Sequence, residues 1–308
     1  MSRPTLAPLF ALIAVTLFSM NDVMMKFLSG GYALHQLVLL RSCVGLVIVV
    51  GLMAPLSGGW HLLRTRRLGL HILRAICVIV ANMAFFLGLA ALPLADAVAI
   101  FFVSPFLISI FSVIFLGETV GPRRWMAIAI GMIGVLIVLQ PGTSSFQLAS
   151  LLPLIGATGY AGLHIFTRHL RDTENAVNMT FYIQVTFICL TVLLGVTIGD
   201  GKFDVFDQAS MSFLLRAWEW PVGIDVPIIA MLGVFASVGG YFISQAYRLG
   251  EAALIAPFEY LALPLSILWG FLIFEQWPTG PALTGIGLIL GSGLYTIWRE
   301  RQIAKATS

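Results

Sequence analysis

Charge is what this sequence has least of. Only 10% of its 308 residues are Asp, Glu, Lys or Arg, against about 25% in an ordinary soluble domain. Apolar residues make up 59%, and mean hydropathy is +0.98. That balance excludes a disordered chain, a nucleic-acid-binding module and a cytosolic enzyme, and assigns the chain to a bilayer. Lysine is rarest, at Lys26, Lys202 and Lys305 only. None follows a glycine-rich loop as in GxxxxGK[ST], which argues against ATP-driven pumping. HExxH and GxSxG are missing too, and His35, His61, His71, His164 and His169 are scattered. An acid pair of Asp22 and Glu259 is the one intramembrane-hydrolase arrangement on offer, so the expectation is a protein that is not an enzyme. Cys43, Cys77 and Cys189 lie far apart in apolar runs, without CxxC or nearby His. They read as small buried hydrophobes, with neither disulfide, metal nor cofactor expected.

What is present is a succession of apolar runs. Ten candidate spans fall at 7–28, 33–55, 71–91, 94–116, 125–140, 147–170, 176–199, 226–247, 252–274 and 280–298. At about 20 residues each they occupy roughly 200 positions, leaving no room for a soluble catalytic domain. The first run continues through Asn21, Asp22 and Lys26 without a small-residue cleavage site, so it reads as a retained span. Basic residues in alternate connections fix an orientation. One side holds Arg3, Arg64, Arg66, Arg67, Arg123, Arg124, Arg168, Arg171, Arg248, Arg299, Arg301 and Lys305; the other holds Lys202 and Arg216 only. The positive-inside rule then puts both termini in the cytoplasm. Trp218 and Trp220 read as an outer interfacial anchor.

The two halves resemble each other. LADAVAIFFVSPFLISIFSVIFLGE and LGEAALIAPFEYLALPLSILWGFLIFE each begin with an acid (Asp96, Glu251), carry an interior proline (Pro105, Pro264) and end on Glu118 or Glu275. A glycine follows sixteen residues later in both, Gly134 and Gly291. Five spans per half is odd, so consecutive repeats insert in opposite senses, with a site near the midplane between them. The expected fold is an all-α polytopic membrane protein with ten transmembrane helices in two inverted five-helix repeats, 1–142 and 147–299, and a tail at 300–308.

The run LPLADAVAIFFVSPFLISIFSVIFLGETVGPRRWMAIAIGMIGVLIVLQPG (92–142) resembles the first repeat of the drug/metabolite transporter superfamily, EamA type, and APFEYLALPLSILWGFLIFEQWP (256–278) its second. MNDVMMKFLS, LRS at 40–42 and SGLYTIWRE extend the likeness over essentially the whole chain. It implies ten helices, inverted repeats, cytoplasmic termini and ATP-independent transport of small metabolites. TRRLGLHILRAICV and APFEYLALP look most like the bacterial branches associated with riboflavin or S-adenosylmethionine uptake, while other branches export amino acids. No short motif in the family names a substrate.

Ionisable groups inside spans are costly, on the order of 3 kcal/mol on insertion scales, and mark a wet path or a partner. Ser19, Asp22 and Lys26 share one helical face; Asp22 and Lys26 either form a self-neutralised pair, or Asp22 is open to substrate or a proton. Arg41 resembles a basic residue common at this point in the family, and reads as an ion pair, a lipid contact or a substrate contact. Glu259 lies about eight residues into span 9, roughly 12 Å at 1.5 Å per residue, between Pro257 and Pro264. It is a hydrogen-bond donor when protonated, a site of proton coupling, or the buried partner of Arg41 or Arg74. Tyr160, His164, Thr167 and Arg171, and Ser237, Tyr241, Ser244 and Arg248, recur at offsets 0, 4, 7 and 11, giving each helix a polar face. Asn82 and Gln245 add amides. Phe85, Phe86, Phe101, Phe102, Phe258, Tyr260 and Trp269 are candidate flat walls against which a heterocycle stacks. Gly156, Gly159 and Gly162, and Gly287 with Gly291, allow close helix approach, within the monomer or at a homodimer seam.

The expected function is secondary active transport by alternating access in the bacterial inner membrane, with uptake of riboflavin or a similar heterocycle as the leading substrate. A proton is the candidate coupling ion, the partners are a small-molecule substrate and the lipid bilayer, and nucleic acid is not among them. The alternatives are an amino-acid, amine or S-adenosylmethionine transporter or exporter and, in another class, an uncoupled channel-like or accessory membrane protein.

Overall fold

The computed structural model describes residues 3–117, 121–170, 173–249 and 258–307, and among these the regular structure is helical throughout, with no strand. Glu118, Arg171, Glu251 and Pro257, and the side chains of Ser244 and Arg248, lie outside what is described. In chain order the helices are α1 (Arg3–Leu28), α2 (Leu34–Ile48), α3 (Ala54–Ser57), α4 (Leu68–Ala91), α5 (Leu94–Phe101), α6 (Ser104–Leu116), α7 (Pro122–Leu139), α8 (Leu151–Leu170), α9 (Ala176–Ile198), α10 (Ala209–Leu215), α11 (Asp225–Leu249), α12 (Ala262–Phe274) and α13 (Gly280–Thr307). A π-helical turn at Val49–Met53 joins α2 to α3, just before Pro55, whose missing N–H disturbs the hydrogen-bond ladder. Among the described residues, eight stretches are long and apolar enough to cross a membrane, the first at Leu6–Leu28 and the last at Asp225–Ile243, and α12 is a shorter apolar helix. The helix that begins span 10 runs on without interruption to Thr307.

The run expected as one span over 94–116 is broken. After α5, Phe102 and Val103 form a tight turn in which Val103 N donates to Ile100 O at 3.1 Å, and α6 restarts with Pro105 in its first turn. A similar turn at Tyr260 and Leu261 precedes α12, where Leu261 N donates to Phe258 O at 3.1 Å. Both prolines sit where a helix has unpaired N–H groups in any case, so each fixes a restart rather than a kink. α6 and α12 are 13 residues each and end on a left-handed residue, Gly117 at φ 67° and Glu275 at φ 54°.

Close helix contacts follow the small residues. α4 lies along α8, α1 along α11 and α7 along α13. A Cβ on Gly159 would stand 2.8 Å from the Cys77 carbonyl oxygen, and one on Gly134 2.8 Å from that of Gly285. At these crossings backbone meets backbone, the geometry by which membrane helices gain dispersion contact. The seam on α13 differs from the expected one. Gly285, against α7, and Gly293, against the Tyr260 ring, are the packed residues, whereas Gly287 and Gly291 face open space. The cysteines also depart from expectation: Cys43 and Cys189 are exposed on the outside of the bundle, and only Cys77 is partly covered.

The expected Asp22–Lys26 pair does not form. Lys26 Nζ donates to the carbonyl oxygens of Leu89 (2.8 Å) and Leu92 (2.5 Å) and lies 5.5 Å from the Phe274 ring centroid. The ammonium thus satisfies carbonyls at the C-terminus of α4, where a positive charge also suits the helix dipole. Leu89 and Leu92 are buried, so truncating Lys26 strands carbonyls that water reaches poorly. Lys26→Met is expected to cost about 1–3 kcal/mol of stability, read from unfolding of the detergent-purified protein. Its effect adds to that of Asp22→Asn to within about 0.5 kcal/mol; a larger coupling in the double variant would restore the pair.

Candidate functional site

At the centre of the bundle a buried cation is held by aromatic rings. The Arg41 guanidinium carbon, on α2, lies 5.3 Å from the centroid of Phe86 on α4 and 5.5 Å from that of Phe187 on α9. Arg41 Nη2 donates to Asn82 Oδ1 at 3.4 Å, and Asn82 Nδ2 donates to Val78 O at 3.1 Å. Ring faces stabilise a planar cation and Asn82 turns its acceptor toward it. Asp22 on α1 is within electrostatic reach of Arg41.

From Phe86 the rings run without interruption across the bundle. Centroid separations are 5.5 Å to Phe85, then 4.9 Å to Phe101, 5.4 Å to Tyr160 and 4.6 Å to His164. Glu259 is within electrostatic reach of Tyr160 and Tyr260. Tyr260 packs on Phe102 at 5.3 Å, so the two helix breaks meet ring to ring. The structure therefore gathers Asp22, Arg41 and Asn82 at one end of an aromatic ladder and Tyr160, His164 and Glu259 at the other, with Tyr260 beside Glu259.

Other expected residues stand elsewhere. Lys26 caps α4. Tyr241 packs against a separate apolar cluster of Val49, Met53, Ala54 and Val177, and Gln245 follows one turn further along α11. Ser237 accepts from Gln184 Nε2 at 3.3 Å. Arg74 is committed to Thr167 Oγ1 (2.9 Å) and Met179 O (3.1 Å), away from the role of partner to Glu259. Trp269 donates to Ser19 Oγ at 2.7 Å, and Phe258 packs beside Ala7, Ala11 and Ala246. Phe187 went unrecognised although Thr180, Gln184 and Thr191, at i−7, i−3 and i+4 from it, mark the same face of α9, and Gln184 and Thr191 are buried with it.

Ser19, Asp22, Leu94, Val98, Ala262 and Ser266 surround a cavity of about 10 Å³, near the space one water needs. Both ends of the bundle are clamped. At the α1/α2 end, Tyr32 Oη donates to Asp225 Oδ2 (2.6 Å), Trp218 Nε1 to His35 Nδ1 (3.0 Å) and Arg216 Nη1 to Ser29 O (3.0 Å). Gln36 bonds the Glu219 backbone in both directions. At the other end Asn178 Nδ2 donates to Leu62 O and Arg64 O, Asn175 Nδ2 to Leu62 O, and Thr65 Oγ1 to Glu174 Oε1, with His71 Nε2 3.7 Å from the same carboxylate oxygen. Sequence spacing gives no warning of these clamps because each joins segments more than 100 residues apart. Trp218, expected as an interfacial anchor, belongs to the first clamp, while Trp220 is 90% exposed.

Broken apolar helices, backbone contacts through glycine and a buried polar centre closed at both ends define a multi-pass helical membrane protein. Residues 5–140 match the EamA-like transporter family. Similar proteins include the riboflavin transporter of Rhizobium johnstonii, 29% identical over 97% of this chain and 93% of that one. The S-adenosylmethionine uptake transporter of Rickettsia felis is 24% identical, covering 94% and 92%, and the pseudopaline exporter CntI of Pseudomonas aeruginosa 24%, covering 92% of each. A solved crystal structure superposes with a TM-score of 0.66 at 19% identity, over 97% of this chain and 99% of that chain, a likeness of fold. The chain is a multi-pass membrane protein whose residues 5–140 match the EamA-like transporter family, and its likeness to transporters supports a non-enzymatic role.

The clamps are testable without a substrate. In a background lacking Cys43, Cys77 and Cys189, Gln36→Cys with Glu219→Cys is expected to crosslink with a short bifunctional thiol reagent that spans the length of the lost glutamine side chain; failure with reagents of graded length would place the two segments apart. The hydrogen bond to Asp225 raises the Tyr32 pKa above its ordinary value. That contribution is complete below the free-tyrosine pKa of about 10 and is lost as pH rises through the folded value. Alkaline pH above about 10 should therefore loosen this clamp, seen as faster labelling of Ser29→Cys, and Tyr32→Phe should remove that step.

Proposed function

We propose that this chain is a secondary active transporter of the bacterial inner membrane, moving a small aromatic heterocycle by alternating access. The observation that carries the proposal is the ladder from Arg41 to His164, which supplies stacking faces between a cation–amide end and a carboxyl–phenol end. A flat heterocycle with polar edges fits such a row of rings, and the names of the similar riboflavin and S-adenosylmethionine transporters point the same way. Riboflavin uptake is the leading reading. The similar exporter keeps outward transport as the second.

The architecture is read as ten spans in two inverted repeats, 1–142 and 147–299, with both termini in the cytoplasm. Equal lengths and left-handed ends of α6 and α12 support the repeat, as does the pairing of α1 with α11 and of α4 with α8. Exchanging halves converts each pairing into the other. It likewise exchanges the two clamps, so opening one while the other holds gives access from one side at a time. Arg41 and Asn82 bind the polar edge of the substrate with Asp22 beside them as a coupling group, Tyr160, His164 and Tyr260 line the opposite end, and Glu259 takes up a coupling proton. Tyr241 and Gln245 line the route when α11 moves. A homodimer through α13 is an accessory possibility that the exposed Gly287 and Gly291 leave available.

The gene is expected to rescue a riboflavin auxotroph that lacks its own importer; verified membrane expression without rescue removes riboflavin uptake. In proteoliposomes, Glu259→Gln is expected to abolish proton-driven accumulation and spare counterflow, whereas unchanged accumulation takes the coupling role away from Glu259. Accumulation above equilibrium also separates a transporter from a passive pore.

A further inference from the structure

We propose that the cavity between α1, α5 and α12 is a sodium site, in which the Asp22 carboxylate and the Ser19 and Ser266 hydroxyls hold one Na+. The proposal deepens the reading of the chain as a coupled transporter and rests on it for its role, though not for its geometry. The polar residues lining the cavity are Asp22, Ser19 and Ser266, with Leu94, Val98 and Ala262 completing the wall. A donor set of oxygens without nitrogen or sulfur suits a hard cation. Ser266 Oγ donates its hydrogen to Leu263 O at 2.7 Å, and Ser19 Oγ accepts from Trp269 Nε1 at 2.7 Å. Each hydroxyl oxygen therefore keeps a lone pair for a further partner.

Two further observations favour a metal cation over a proton. A proton on Asp22 needs no room beside it, whereas a space of about 10 Å³ borders this residue, near what a single water-sized ligand needs. Lys26, one turn along the same helix, spends its ammonium on the Leu89 and Leu92 carbonyls rather than on Asp22. The site also adjoins the break preceding α12, and interrupted helices are where transporters commonly seat coupling ions. Arg41, within reach of Asp22, links ion to substrate. Acceptor groups of a substrate that engage the guanidinium draw its field away from Asp22, and each ligand then strengthens the other.

The probe is 22Na+ itself, added to purified full-length protein at constant pH and ionic strength with choline as the replacement cation. Saturable binding of one Na+ per chain is expected, together with a rise in the thermal unfolding midpoint in NaCl over choline chloride. Asp22→Asn abolishes both effects. Ser266→Ala, a smaller change that tests the site if the first variant folds poorly, weakens binding by about tenfold or more. Absence of saturable 22Na+ binding overturns the proposal, as does binding that neither variant alters; a cavity that holds only water gives the first of these results. Riboflavin counterflow in choline medium separates the two readings: counterflow without Na+ binding rejects the sodium site and leaves transport standing, whereas Na+ binding without exchange rejects the substrate and leaves the site.

Discussion

A guanidinium buried in a helical bundle within a bilayer is the constraint around which the centre of this protein is arranged. Removing a charge from water costs several kcal/mol even after relaxation, and Arg41 is only 5% exposed. Its neighbours meet that cost without a close ion pair: two ring faces, one amide oxygen and the more distant field of Asp22. Rings take little hydrogen-bonding capacity away from the cation. Arg41 consequently keeps several donors for something that enters, which is what distinguishes a binding group from a structural one. Phe86 reaches Arg41 from α4 and Phe187 from α9, so the cation also ties the two halves of the chain together.

That arrangement explains where Lys26 has gone. An ammonium tethered beside Asp22 would occupy the carboxylate permanently and close it to any exchangeable ligand. Turning the ammonium to the end of α4 satisfies the Leu89 and Leu92 carbonyls and leaves Asp22 facing Arg41 and the small cavity. The i, i+4 spacing of Asp22 and Lys26 permits a pair on an isolated helix. Tertiary packing overrides it because buried carbonyls without partners are the more costly alternative.

Much of the framework is legible in the sequence because the bilayer forces it to be. Long apolar runs locate the eight candidate spans among the described residues, small residues locate the α4/α8 crossing, and stranded polar groups locate Asp22, Arg41, Asn82, Tyr160 and Glu259. The helix breaks are half legible: Pro105 and Pro264 announce a disturbance, but whether a proline kinks a helix or restarts one depends on the turn before it, which neighbours decide. The clamp residues are not legible at all, and Phe187 is marked only indirectly, by the polar stripe of Thr180, Gln184 and Thr191 on its face of α9. A phenylalanine facing lipid and one facing Arg41 look alike in sequence, and the bonds from Tyr32, Gln36 and Asn178 join segments brought together only by the finished bundle.

The clamps and the aromatic centre also differ in kind, and the difference bears on how such a molecule can move. The centre is built from large contacts on several helices at once, which give way only if whole helices shift. The clamps are mainly single hydrogen bonds between connections and helix ends, each worth about 0.5–1.5 kcal/mol net. A few such bonds at one end can be exchanged for water with little change in free energy, because their donors and acceptors lie near the ends of the bundle. Movement is therefore least costly where α1 and α11, or α4 and α8, separate at one clamp while staying packed at the glycine crossings. The helix breaks at Phe102–Val103 and Tyr260–Leu261, stacked through Phe102 and Tyr260, then lie at the level about which either end would open. Their interrupted hydrogen-bond ladders make them the points of α5–α6 and of the segment before α12 least resistant to bending.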